Sequence, residues 1–258
     1  MIKNKKGILI IVISLVIVYF AICLFQYISN TRYKKTVFLG ASTKVSINDG
    51  KIKVKNDNSK IDNLKVKVYF NKEFINGIIN SFKDDSDDVN NSYMVSNENG
   101  ERLALDTILV AHTRDISIKI KEPDTRSIND SEEIYKFANA NNISLPSSIE
   151  IVYMNVKTID VDEDGDLENI YSVGFVKENN EFESIVFLKK ENKYILITNK
   201  TTEYDVFKNE KLSFYKLIDF NNDNDYEFVV NRRMSEYGPD YYELYNFDGK
   251  KFTKIGGE

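Results

Sequence analysis

The sequence predicts a mainly β protein with an N-terminal transmembrane helix. Two four-stranded repeats and a smaller α+β or β domain follow that helix. Three observations carry this reading: an uncharged apolar run near the start, many short alternating segments broken by Asn, Asp and Gly, and an acidic motif that occurs twice. The 258 residues are enough to bury a sizeable core. With 11 Gly and 3 Pro, collagen and Pro-rich architectures are excluded. One Cys and one His exclude a disulfide framework within the chain and a Cys/His zinc site.

From Gly7 to Phe25 the chain reads GILIIVISLVIVYFAICLF without a charge, and the apolar character extends to Ile28. At about 1.5 Å per residue, 7–28 spans roughly 33 Å, enough for a hydrocarbon core of about 30 Å. Ser14 can bond back to the preceding turn, Cys23 behaves as a small apolar group, and Tyr19 and Tyr27 suit an aromatic belt. The run is too long for a cleaved signal peptide, and the first cluster of small residues, Gly40-Ala41-Ser42, lies far downstream. Bulky Ile22 before Cys23 argues against lipidation there, and Gly7 alone cannot supply a G-x-x-x-G pair. Lys3, Lys5 and Lys6 precede the span, and Arg32, Lys34 and Lys35 follow it. With the α-amino group added, the count tips the N-terminus inward. Residues 1–6 are then a cytoplasmic tail, 29–36 a stem, and the rest an outer body.

Residues 37–122 read as the membrane-proximal domain. Thr43–Ile47, the turn Asn48-Asp49-Gly50 and the strictly alternating KIKVK form a hairpin signal. Leu64–Phe70 alternates again. In Asn71-KEFINGIINSF the apolar set Phe74, Ile75, Ile78, Ile79 and Phe82 fits a helical stripe with Asn71 as N-cap, so a helix is expected there. The acidic stretch Asp84–Asn91 is a loop, and Leu103–Val110 and Ile116–Ile120 are strand candidates. Residues 123–146 are expected to form a connector helix that starts near Asn129 and Glu132, shows Ile134, Phe137 and Ala138 on one face, and stops before Pro146.

The chemistry lies in the repeat. Lys157-TIDVDEDGDLENIY and Lys216-LIDFNNDNDYEFVV align without a gap, 59 residues apart. The first copy places Asp160, Asp162, Asp164, Gly165, Asp166 and Glu168 where the second places Asp219, Asn221, Asp223, Asn224, Asp225 and Glu227. Oxygens at positions 1, 3 and 5 of a tight loop converge on one side, and Gly or Asn at position 6 permits the positive φ that closes it. Clustered carboxylates repel one another unless a cation joins them, and this many oxygen donors suit calcium better than magnesium. The first copy has five carboxylates and the Gly. The second has four and lacks it. An EF-hand is excluded because position 12 is Tyr171 or Val230 and because strand patterns flank both loops.

This strand–loop–strand motif, with the strand, turn and strand that follow each copy, resembles the calcium loops of FG-GAP/VCBS repeats of integrin α-type propellers. The resemblance covers roughly residues 147–258. It implies ligands from Asp160, Asp162, Asp164, the Asp166 carbonyl and Glu168, and from Asp219, Asn221, Asp223, the Asp225 carbonyl and Glu227. The chain departs from the pattern in lacking Phe-Gly and Gly-Ala-Pro segments and in having Asn224 for Gly. A closed propeller needs about four blades or more, so the resemblance implies two blade-like units packed together or on the N-terminal domain.

No G-x-S-x-G, H-E-x-x-H or Gly-rich phosphate loop is present, and His112 reads as a structural or surface residue. Tyr237, Tyr241, Tyr242 and Tyr245 read as a candidate ligand face of which alternation sends half into the core. Residues 1–35 hold six basic residues and no acid, which leaves 36–258 at −11 and argues against a nucleic-acid partner. The expected role is a membrane-anchored extracytoplasmic binding or scaffold protein with calcium-stabilised β repeats. Its expected partners are the membrane, which it spans once, and a cell-wall polymer or surface protein. The alternatives are an envelope hydrolase working through carboxylates and an accessory subunit of a membrane complex.

Overall fold

The computed structural model describes residues 14–24, 36–40, 43–56, 64–70, 72–81, 93–103, 109–111, 117–127, 131–205, 208–234 and 240–256. The protein is mainly β. Residues 14–24 form helix α1, whose Leu15, Ile17, Phe20 and Leu24 are all more than half exposed. Among the described residues no helix is long and apolar enough to cross a membrane. The remainder of the expected span, 7–13 and 25–28, lies outside the described residues, as do the expected tail 1–6, most of the stem, and His112.

Strands β1 (Thr36–Leu39), β2 (Thr43–Asn48), β3 (Lys51–Asn56), β4 (Leu64–Phe70), β5 (Glu73–Ser81), β6 (Tyr93–Asn97), β7 (Arg102–Leu103) and β8 (Leu109–Ala111) build the first sheet. Their order is β3-β2-β1-β8-β4-β5-β6-β7. The Asn48–Gly50 turn signal is met: Asn48 pairs with Lys51, and Asp49 and Gly50 both take positive φ. The helix expected over 71–82 is instead strand β5. Its apolar residues come in adjacent pairs that a strand sends to opposite faces, and local chemistry rather than spacing decides. Phe70 pairs with Glu73 across a two-residue turn in which Lys72 has φ 67°, so the chain folds back on β4. Gly77 then lies against Val68, where an added Cβ would come within 2.5 Å of Val68 Cγ2. Three β-branched Ile residues and a Gly favour this paired strand over a helix.

The second part begins with β9 (Lys119–Lys121), β10 (Asp124–Ser127) and α2 (Ser131–Ala140). The connector is therefore not one helix over 123–146. Its first residues are drawn into sheets, and α2 occupies its middle. The expected apolar face is correct, with Ile134, Phe137 and Ala138 buried. The helix ends well before Pro146, where Asn142 takes φ 56° and the Ile143 amide turns back to the Ala138 carbonyl at 2.8 Å.

Two antiparallel meanders follow: β11 (Glu150–Ile159), β12 (Glu168–Val176), β13 (Glu181–Lys190) and β14 (Lys193–Glu203), then β15 (Lys211–Asp219), β16 (Glu227–Arg233), β17 (Asp240–Phe247) and β18 (Phe252–Gly256). Each repeat supplies the four expected strands, but each sheet has five. β10 of the connector pairs with β11, and β9, which the expected 37–122 domain included, pairs with β15, so the short segment 119–127 caps one edge of both repeats.

The layers stack in series. Helix α2 covers one face of the first repeat through Ile134 and Phe137 packed with Val173, Phe175 and Phe187. The two repeats share a core in which Ile170, Val186 and Leu188 meet Phe214, Phe228 and Val230. The far face of the second repeat, with Phe220, Val229 and Tyr242, packs on Val37, Val45 and Tyr69 of the first sheet. Tyr242 and Tyr245 are buried on opposite faces of β17 and belong to the core, whereas Tyr241 is half-buried and Tyr237 lies outside the described residues. These layers hold the β11–β12 and β15–β16 hairpins side by side, and both acidic motifs lie in their connecting loops.

Candidate functional site

Both loops start from an aspartate that turns inward to cap its own backbone. Asp160 accepts the Glu163 amide on Oδ1 (2.7 Å) and the Gly165 amide on Oδ2 (3.1 Å). Asp219 accepts the Asp223 amide (3.2 Å) and the Asn224 amide (3.1 Å). Asp164 accepts the Asp166 amide and Asp223 the Asp225 amide, each at 2.9 Å. Each loop closes on a buried glutamate: Glu168 Oε2 accepts the Val161 amide at 3.0 Å, and Glu227 Oε2 accepts the Phe220 amide at 3.3 Å. The repeat in sequence is thus a repeat in geometry.

The backbone explains the residue types. Glu163 and Gly165 take positive φ in the first loop, and Asn222 and Asn224 do so at the matching places in the second. Asn224, the departure from the Gly pattern, adopts φ 71°, a value that Asn tolerates better than most residues. Position 4 was not foreseen. A short polar side chain reaches that conformation cheaply, and Asn222 supplies one, whereas Glu163 is held there by its amide bond to Asp160.

In the first loop Asp160, Asp162 and Glu168 each offer an oxygen within 4.8 Å of the others. Oxygens about 2.4 Å from a common calcium lie no farther apart than that. Asp164 approaches the same group through Lys190, while Asp166 is exposed and contributes its amide. Among the described residues the first loop alone brings three carboxylates so close.

In the second loop Asn221 donates to the Gly50 carbonyl (3.1 Å) and to Asp223 Oδ2 (2.7 Å). Its own Oδ1 is buried and has no partner. A buried amide oxygen without a donor is costly unless something outside the chain satisfies it, and a hard cation does so. Asp225 is exposed and offers its amide to Asp223. The first loop could therefore hold a cation among three neighbouring carboxylates, and the second offers an orphaned amide oxygen.

Cationic side chains that the spacing did not reveal also enter the site. Lys190, from the end of β13, pairs with Asp162, with Asp164 at 3.4 Å and with Glu168 at 3.4 Å. Its hydrogen bond to Asp162, then its neighbouring carboxylates, hold its ammonium well above the usual lysine range against some desolvation. The Asp166 amide, with help from Lys190, holds Asp164 below the usual carboxylate range. From β9, Lys121 donates to the Asp160 carbonyl (3.2 Å), pairs with Glu163 (3.1 Å) and stacks on Tyr226. Lys119 bonds Asn224 and lies 4.0 Å from Asp219. β9 thus ties one acidic loop to the other. No sequence signal pointed to these lysines, because they reach the loops through strand pairing.

Compared with known protein families, with curated proteins and with solved structures, the chain matches none.

Glu227 is 3% exposed, and burial pushes its carboxyl up to about 8, with Asp223 and Asp219 adding to the rise. The folded protein therefore holds a proton that the unfolded chain releases near 4.5. Without divalent cation, this group's contribution to stability is complete below about 4.5, declines as pH rises to about 8, and then levels off. Chemical denaturation of wild type and Glu227→Gln across that window checks this. The difference between them should carry the decline, and parallel curves would contradict it.

Proposed function

We propose that this protein is a single-pass membrane-anchored binding or scaffold protein whose extracytoplasmic β repeats are stabilised by calcium. The observation that carries the reading is the twin loop: two acidic hairpin loops with the same capping aspartate, the same closing glutamate and matched positive-φ residues. The resemblance to FG-GAP/VCBS calcium loops belongs to this proposal. Asp160, Asp162, Asp164 and Glu168 hold one ion, with the Asp166 carbonyl. Asp219, Asn221, Asp223 and Glu227 hold the other, with the Asp225 carbonyl. Calcium supplies the positive charge that allows these carboxylates to stay ionised side by side.

The apolar run 7–28 is the anchor, and the exposed apolar surface of α1 on every side suits a lipid surrounding. The lysines before the run keep the N-terminus inside. Dissociation constants on the order of 10⁻⁴–10⁻³ M, as in extracellular modules, leave such loops filled only outside the cell. The ligand of the body is a cell-wall polymer or a surface protein. The layered sheets present it on a stack, and the calcium loops stiffen one edge of its two central layers.

At calcium ten times above Kd, each site contributes about 1.4 kcal/mol. For a body of this size the two together raise Tm by roughly 5–10 °C. In thermal melts of the full chain in detergent, calcium should give that rise over chelator, and Asp162→Ala with Asp164→Ala should remove about half of it. Identical melts with calcium and chelator would refute the calcium reading. The anchor is tested by protease added to intact cells. Residues beyond 36 should be digested while a tag before Lys3 survives, and protection of the body would reverse the orientation.

A further inference from the structure

The first loop already contains a cation of its own. Lys190 contacts Asp162, Asp164 and Glu168 together, three of the side chains assigned to the metal. The position follows from the sheet. In the first repeat Ile170 pairs with Leu188 and Asn169 with Lys189, so the next step sets Lys190 beside Glu168. In the second repeat Val229 pairs with Leu244 and Phe228 with Tyr245, so the same step sets Asn246 beside Glu227. An ammonium stands at the mouth of one loop, and a neutral amide at the equivalent place of the other.

A lysine ammonium and a divalent cation cannot share one small oxygen cage, because like charges at contact distance repel strongly. The Lys190 side chain is 21% exposed and flexible enough to swing toward water, so it can yield, at the cost of three ion pairs. Resting on the calcium reading above, we infer that Lys190 is a resident competitor and that metal binding at the first loop is an exchange of ammonium for cation. The chain is thereby spared an unneutralised carboxylate cluster whenever calcium is scarce. Among the described residues no cation contacts three carboxylates of the second loop, and Lys119 bonds Asn224 there. Lys119, 44% exposed, reaches only its rim, 4.0 Å from Asp219.

The test is isothermal titration of the full chain in detergent with calcium chloride. Asn221→Ala with Asp223→Ala silences the second loop, and the first is then titrated with Lys190, Lys190→Met and Lys190→Arg. Exchange predicts that Lys190→Met binds calcium roughly tenfold more tightly and melts lower in chelator, while Lys190→Arg stays near wild type. Equal affinity for Lys190 and Lys190→Met would overturn the inference and leave the calcium reading standing. No binding heat at either loop of the wild type would overturn the calcium reading itself. Should Lys190→Met not fold, Asn246→Lys in the wild-type chain gives the converse test: it should weaken the second loop by a similar factor, and unchanged affinity there would count against exchange.

Discussion

The acidic loops of this protein depend on how carboxylates that their own hairpins force together are neutralised. Asp160 and Asp219 spend their oxygens on backbone amides, which fixes the shape of each loop. Glu168 and Glu227 are drawn under the loops by the Val161 and Phe220 amides and are almost wholly buried there. Burying a carboxylate is expensive unless a positive charge, a proton or good hydrogen bonds compensate. Lysine supplies part of that compensation in the first loop, and a proton supplies it at Glu227. Under the calcium proposal, one ion in each loop would take over that compensation.

The surrounding sheets explain why the loops hold their shape. Helix, first repeat, second repeat and N-terminal sheet form consecutive layers, and each boundary is apolar. The few polar side chains at these boundaries are tied in place. Tyr153 bridges the repeats, donating to the Leu212 carbonyl at 2.9 Å and accepting its amide at 3.1 Å. Lys157 is pushed down to about 8 by burial and then by Lys216, and it donates to the Tyr215 carbonyl at 3.0 Å. β9 and β10 close the edges of both repeats from one short segment.

Much of this was legible in the sequence, for identifiable reasons. The 59-residue repeat predicted matched loops, and strand patterns around it predicted hairpins rather than helix pairs. The face of α2 followed from Ile134, Phe137 and Ala138. Three things were not legible. Phe74, Ile75, Ile78 and Ile79 match the helical period, and only the turn at Lys72 and the close approach at Gly77 decide for a strand. The fifth strand of each repeat was not legible as such: 119–121 overlaps the strand candidate Ile116–Ile120 but its pairing with β15 has no local signal, and 124–127 is too short to read. Lys190, Lys119 and Lys121 enter the site from neighbouring strands, and no spacing within a motif encodes that.

The most direct test of the central claim is a count of bound ions. Flow dialysis of the full chain against radioactive calcium at millimolar free concentration should give two ions per chain. A value of zero would contradict the account, because the carboxylates would then be satisfied by lysines and protons alone.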